Sequence, residues 1–220
     1  KNPLTPMKLI TQHLQNSMSR AGQEEIPNLV KRVTQTLIEQ IENLSKIASE
    51  FSNFAKLPAP ENEKLVMNEV VTSTHDLFRK REDMDIHLRV PIDEIYIFAD
   101  KNHVIRVLTN LIKNAIQAIP VGRRGKIEIV LYKQDEKAIV QVTDNGCGIP
   151  ESMKDKVFYP NFTTKNSGTG LGLAIVRDIV DCCNGAIYFT TAENKGTSFF
   201  VEFPLMHMED NFKVVERVSL

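Results

Sequence analysis

The chain of 220 residues is long enough for one large domain, or for a medium one with a helical appendage. Hydrophobic residues make up 42% and charged residues 25%, as in an ordinary globular protein, and a net charge of -1 excludes the basic surplus of a general nucleic-acid binder. No run approaches the ~18 apolar residues of a membrane span, no signal-peptide pattern opens the chain, and Cys147, Cys182 and Cys183 make neither a disulfide framework nor a zinc spacing.

The three cysteines are therefore expected to be small apolar fillers. Leu4 to Ser19 reads as a helix, with Pro3 and Pro6 near its start, and residues 20–23 suit a turn. From Ile26, apolar residues fall at Leu29, Val30, Val33, Leu37, Ile41, Leu44, Ile47, Phe51 and Phe54. Steps of three and four predict a stripe on one long helix, and the pair is expected as an antiparallel α-hairpin. Such a hairpin has a narrow interior. Its stripe must meet a second copy, as a four-helix bundle, or the chain's own second domain.

Leu57-Pro58-Ala59-Pro60-Glu61 is a stiff linker, since each proline disfavours helix in the residue before it. Beyond it the pattern predicts a helix over 65–81, strands over 85–90 and 95–99, and a helix over 102–119. Strands over 126–132 and 138–143 flank a polar turn and predict a hairpin. A helix over 171–183 stops at Asn184-Gly185, and strands over 186–191 and 197–203 form a last hairpin. The fold class is α+β, a mostly antiparallel sheet with helices on one face. Residues 1–57, 58–205 and 206–220 are expected as hairpin, main domain and polar tail.

Four clusters carry chemistry. In Asn110-Leu111-Ile112-Lys113-Asn114-Ala115 the two asparagines share a helical face, where amide oxygens suit a hard cation or simply face solvent. Asp144-Asn145-Gly146-Cys147-Gly148-Ile149 follows an apolar strand. Its carboxylate can accept from an exocyclic amine and its glycines let a flat ring approach, although the same letters also make a tight turn. Phe158-Tyr159-Pro160-Asn161-Phe162-Thr163-Thr164-Lys165 combines aromatic anchors with a cation, or is a buried aromatic loop. Ser167-Gly168-Thr169-Gly170-Leu171-Gly172-Leu173 opens a helix whose first N–H groups can hold an anion. It has neither the dinucleotide glycine spacing nor a Walker lysine.

In this order, together with Gly196-Thr197, these clusters resemble the N, G1, F, G2 and G3 boxes of the histidine kinase ATP-binding domain, a Bergerat-type α/β sandwich. Lys1-Asn2-Pro3-Leu4-Thr5-Pro6 resembles the family phrase His-Glu-Ile-Lys-Asn-Pro-Leu-Thr-Pro, entered after its third residue. The wording is similar to nitrogen-regulation-type sensor kinases, and the resemblance covers residues 1–205.

The resemblance implies the roles. Asp144 accepts from the adenine amino group, Gly146 and Gly148 give the ring room, and Ile149 belongs to the same nucleotide-binding set. Asn114 ligates Mg²⁺, with Asn110 and Lys113 near the phosphates. Residues 150–170 form a lid pinned by Phe158 and Phe162. Lys165 and Gly168, Thr169, Gly170, Leu171 and Gly172 hold the phosphates, Thr197 closes the adenine end, and Asn2 orients water for dephosphorylating the partner. The γ-phosphoryl group passes to a histidine three positions before Lys1, then to a receiver-domain aspartate of a response regulator.

The implied setting is a cytoplasmic homodimer without nucleic-acid or membrane contact of its own, whose parent is anchored, if at all, in the inner membrane by upstream segments. The five histidines present, His13, His75, His87, His103 and His207, read as surface or boundary residues. These 220 residues are thus expected to bind ATP without phosphorylating themselves. Two other classes stay open: an ATP-binding dimerisation switch without turnover, and a serine-protein kinase of the anti-sigma type, which shares the boxes but not the proline phrase.

Overall fold

The computed structural model describes residues 4–18, 26–55, 59–81, 83–160, 162–163 and 170–206. The chain divides after Leu57 into two compact units. The first holds α1 (Leu4–Met18) and α2 (Ile26–Ala55). Leu9, Ile10 and His13 of α1 line a groove with Arg32, Val33 and Thr36 of α2. Val33 is buried there, whereas Leu9, Val30, Ile38 and Ile41 stay exposed.

The second unit contains β1 (Glu63–Val66), α3 (Met67–Asp76), β2 (Met84–Arg89), β3 (Tyr96–Ala99), α4 (Lys101–Ala118), β4 (Gly125–Gln134), β5 (Lys137–Asp144), α5 (Gly172–Cys182), β6 (Ala186–Ala192) and β7 (Gly196–Pro204). A five-stranded sheet runs β2-β4-β5-β7-β6, and β1 pairs with β3 in a separate two-stranded sheet. Both predicted hairpins form, β4 with β5 and β6 with β7. They turn at Asp135 and Asn194, both at positive φ.

Alternation decides which face is buried. Ile127, Ile129 and Leu131 of β4, Val140 and Val142 of β5, and Phe199, Val201 and Phe203 of β7 are all buried. The same core takes Val104, Leu108, Leu111, Ile112 and Ala115 of α4 and Ile175, Val176 and Ile179 of α5. Burying one such side chain stabilises the domain by about 1.5–3 kcal/mol. On the other face Tyr188 and Phe200 stack with ring centres 5.0 Å apart.

Several expectations need correction. The helix predicted over 65–81 is strand β1 followed by the shorter α3. Val66 is still extended, and Leu65 pairs with Ile97. Charged Glu63 and Lys64 leave a four-residue strand with too little alternation to declare itself. Asn68 then holds the loop before β3: its Oδ1 accepts from Ile95 N at 2.9 Å, and its Nδ2 donates to Pro91 O and Asp93 O. The helix stops at Asp76 because Leu77 faces solvent, 73% exposed, instead of extending the stripe. The two strands after it part company, since β2 pairs parallel to β4 while β3 joins β1.

His103 is buried, not a boundary residue; it stands one turn before buried Val107 on α4, and its Nε2 has no hydrogen-bond partner among the described residues. Cys147 and Cys182 are exposed rather than core fillers. Cys183 is half-buried, and burial pushes its thiol up. No helix among the described residues is long and apolar enough to cross a membrane.

Candidate nucleotide site

The site begins at the cap of α4. Asp100 Oδ1 accepts from His103 N at 3.0 Å, and Oδ2 accepts from Glu61 N at 2.9 Å. Burial pulls this carboxyl upward, but the backbone N–H groups of His103 and Glu61 outweigh it and hold it below the usual carboxylate range. The helix then presents Asn110 and Asn114 half-buried on one face, with Lys113 exposed beside them. Asn110 Nδ2 donates to Arg106 O at 2.9 Å. Its Oδ1 lies 3.1 Å from where a Cβ on Gly172 would stand, so the first cluster meets the start of α5.

The far end of α4 receives the second cluster: Cys147 N donates to Ala118 O at 2.9 Å. Asp144 closes β5 at 5% exposure. Its Oδ1 accepts from Gly146 N at 2.7 Å and from Thr197 N at 3.3 Å. Asn145 fixes the turn to β4, its Oδ1 accepting from Lys126 N at 2.8 Å and its Nδ2 donating to Arg124 O at 3.1 Å. Arg123 Nη1 reaches from outside to Asn145 O and Gly146 O, at 2.8 and 3.0 Å.

The β6–β7 turn wraps the same loop. Asn194 N donates to Cys147 O at 2.8 Å. Gly148 sits at φ 71°, where an added Cβ would collide with Ala192 O. Thr197 is buried opposite Asp144 on β7. Ile149 N donates to Thr191 Oγ1 at 3.0 Å.

Of the third cluster, Phe158 packs against Phe189 and Phe199, with ring centres 5.9 and 6.5 Å away, which fastens that segment to β6 and β7. Phe162 is half-buried. Of the fourth cluster, Gly170 stands at φ 72° and Leu171 is buried just before α5. Asn2, Lys165, Gly168 and Thr169 lie outside the described residues.

Among the described residues, the structure thus joins parts of the predicted clusters: Asn110 meets Gly172, and Asp144 meets Thr197. Its additions are Thr191 and Arg123. Thr191 was within reach of the sequence, because a short β6–β7 turn fixes which residue faces Thr197. Arg123 had no such signal, since its reach across the loop depends on tertiary structure.

Chemically, Asp144 and Thr197 put acceptors side by side where an exocyclic amine can donate. The first turn of α5 has the backbone N–H groups of a helix start, which can hold an anion. No group of three or more His, Cys, Asp or Glu suited to a metal occurs among the described residues. A hard cation would fit through the amide oxygens of α4, with phosphate oxygens completing its shell.

Residues 99–207 match the family model of the histidine kinase-, DNA gyrase B- and HSP90-like ATPases. The nitrogen regulation protein NtrY of Azorhizobium caulinodans is 32% identical over 89% of this chain and 26% of its own length. The sensor histidine kinase ZraS of Salmonella typhimurium is 30% identical over 94% of this chain and 43% of its own. The chain therefore spans about a quarter to two-fifths of these relatives. The solved catalytic domain of histidine kinase ThkA is 36% identical, with a TM-score of 0.59 over 66% of this chain and 95% of that one. A structure of ThkA in complex with response regulator protein TrrA is 28% identical, with a TM-score of 0.66 over 93% of this chain and 58% of that one.

Proposed function

Because the chain belongs to the sensor histidine kinases of two-component systems and carries their ATP-binding catalytic domain, we propose that it binds Mg-ATP and donates the γ-phosphoryl group to a histidine, from which an aspartate of a response-regulator receiver domain takes it. The observation that carries this is the buried Asp144, oriented by Gly146 N and Thr197 N beside Thr197 itself. It would accept from the adenine amine, with Gly146 and Gly148 giving the ring room and Ile149 beside them in the binding set.

Phosphoryl transfer asks the protein for position and charge neutralisation rather than covalent chemistry. Asn110, Lys113, Lys165 and residues 168–172 would hold the phosphates. Asn114 would hold Mg²⁺, which when bound neutralises charge on the phosphate oxygens. Replacing Asn114 by Ala is expected to weaken ATP binding at least tenfold with Mg²⁺ and less than twofold in chelator. An equal loss under both conditions, measured by calorimetry, would remove Asn114 from the metal role.

A homodimer is proposed through residues 1–57, supported by the exposure of Leu9, Val30, Ile38 and Ile41 along two helices. The domain limits at 57 and 205, the cytoplasmic setting, and the role of Asn2 in orienting water belong to the same reading.

On this reading none of the described histidines is the phosphoacceptor. His103 is buried, His75 Nδ1 lies 3.3 Å from Asp76 on α3, His87 is on an edge strand, and exposed His13 has no acidic neighbour following it. Incubating these 220 residues with γ-labelled ATP and Mg²⁺ is expected to leave them without acid-labile, base-stable label, and placing His-Glu-Ile ahead of Lys1 is expected to introduce it. Stoichiometric label on His13 or His75 overturns the assignment. Silence of the extended chain with ATP bound favours the conformational switch.

A further inference from the structure

Thr191 stands on β6 directly across from Thr197 on β7, outside every cluster of the sequence pattern. Its Oγ1 lies 3.0 Å from Ile149 N, 3.0 Å from Gly196 O and 3.0 Å from Thr197 Oγ1. A hydroxyl has one proton and two lone pairs. Ile149 N–H can only donate and Gly196 O can only accept. The single Thr191 proton is therefore directed to Gly196 O, and one lone pair takes Ile149 N–H. The third contact closes only if Thr197 donates its own proton to the remaining lone pair.

This fixes what Thr197 can offer elsewhere. With its proton turned toward β6, its remaining hydrogen-bonding capacity is acceptor capacity. Beside it lies Asp144, whose Oδ1 is oriented by Thr197 N and Gly146 N. Both side chains then present oxygen acceptors at the base end of the site. A base with an exocyclic amine there finds acceptors, while one with a carbonyl there sets oxygen against oxygen. Such a mismatch leaves buried polar groups unpaired and discriminates far more strongly than a difference in size.

We infer that Thr191 is a specificity-determining positioning residue of the nucleotide site: by taking the Thr197 proton it keeps Thr197 an acceptor, so that the site selects a 6-amino purine over a 6-oxo purine. The inference rests on the ATP-binding reading above and adds a residue to it. Without the Thr191 hydroxyl, Thr197 can rotate and donate to a 6-oxo group, and selection relaxes.

ATP and inosine triphosphate differ at this position, amine against carbonyl. Titrating both into the whole chain by calorimetry gives a selectivity ratio. Thr191→Val keeps the shape without the hydroxyl and is expected to shrink the ratio at least tenfold, while Thr191→Ser stays within twofold of the unmodified chain. Thr191→Ala, which lacks the hydroxyl without crowding, is expected to match Thr191→Val.

Loss of the Ile149 tether alone would weaken both nucleotides by one factor and leave the ratio intact, which would overturn the inference. So would a Thr191→Val effect that persists in full on a Thr197→Val background, because no hydroxyl then remains to orient. Failure of the unmodified chain to bind ATP appears in the first titration and strikes the nucleotide-site reading itself, before any variant is compared.

Discussion

Replacing Asp144 by Asn is expected to weaken ATP binding by about 2–3 kcal/mol, roughly 30- to 150-fold, while the domain stays folded. The separation of binding from folding comes from the geometry. Asn keeps an oxygen where Asp144 Oδ1 accepts from Gly146 N and Thr197 N, so the turn retains its internal bonds. What changes is the other half of the head group. An acceptor becomes an NH₂, which on the proposed reading would face the adenine amine. A hydrogen bond to a charged acceptor is worth about 1.5–3 kcal/mol, and two opposed donors restore none of it. Inosine triphosphate should lose less, since its 6-oxo group can accept from the new NH₂. Calorimetry with both nucleotides, alongside thermal melting, checks the three parts together. Unchanged ATP affinity in a folded Asp144→Asn chain would falsify the adenine assignment.

The parts of the fold that were legible in the sequence are those with a repeated physical period. Helix α4 declares itself because Val104, Leu108, Leu111, Ile112 and Ala115 are all buried on one face. The β4–β5 and β6–β7 hairpins declare themselves because apolar strands flank short polar turns. Strand β1 was missed for the opposite reason. In four residues only Leu65 is buried, and Met67 immediately begins a helix. The parallel pairing of β2 with β4 was not legible either, because it joins elements separated by β3 and α4. Local pattern carries no information about which distant edge a strand will meet.

The site was legible as residue types in order, but not as a hydrogen-bond network. Asp144 and Thr197 are 53 positions apart, and the bond from Thr197 N to Asp144 Oδ1 exists only because β5 and β7 pair in the register Asp144↔Thr197. Asn110 meets Gly172 only after α5 packs beside α4. Supporting residues such as Arg123 act through backbone carbonyls, which leave no trace in side-chain spacing.

The second large effect is expected at Gly196, and it tests whether the base end of the site depends on backbone contact. Gly196 sits at φ 116°, where side chains other than hydrogen are strained. An added Cβ would fall on Asp144 O, with Asp144 C only 2.8 Å and Asn145 Cα 3.0 Å away. These are backbone atoms of the strand end carrying the Asp144 carboxylate, so no side-chain rotation can relieve the clash. Strain alone costs about 1–3 kcal/mol, and displacing packed backbone brings the loss to about 3–5 kcal/mol. Gly122 provides the control within the same molecule. It has a comparable φ of 86°, yet among the described residues nothing lies within 4 Å of its added Cβ. Gly122→Ala therefore carries the conformational cost alone, about 1–2 kcal/mol, in an exposed turn. For a domain of this size each kcal/mol lowers the melting temperature by roughly 2–4 °C. Gly196→Ala is expected to melt about 6–20 °C below the unmodified chain, and Gly122→Ala about 2–8 °C below it. ATP affinity should fall only in Gly196→Ala, because pushing β5 and β7 apart moves Asp144 away from Thr197 N. Equal melting temperatures for the two variants, or intact ATP binding in Gly196→Ala, would show that the close approach of the two strands holds neither the fold nor the site.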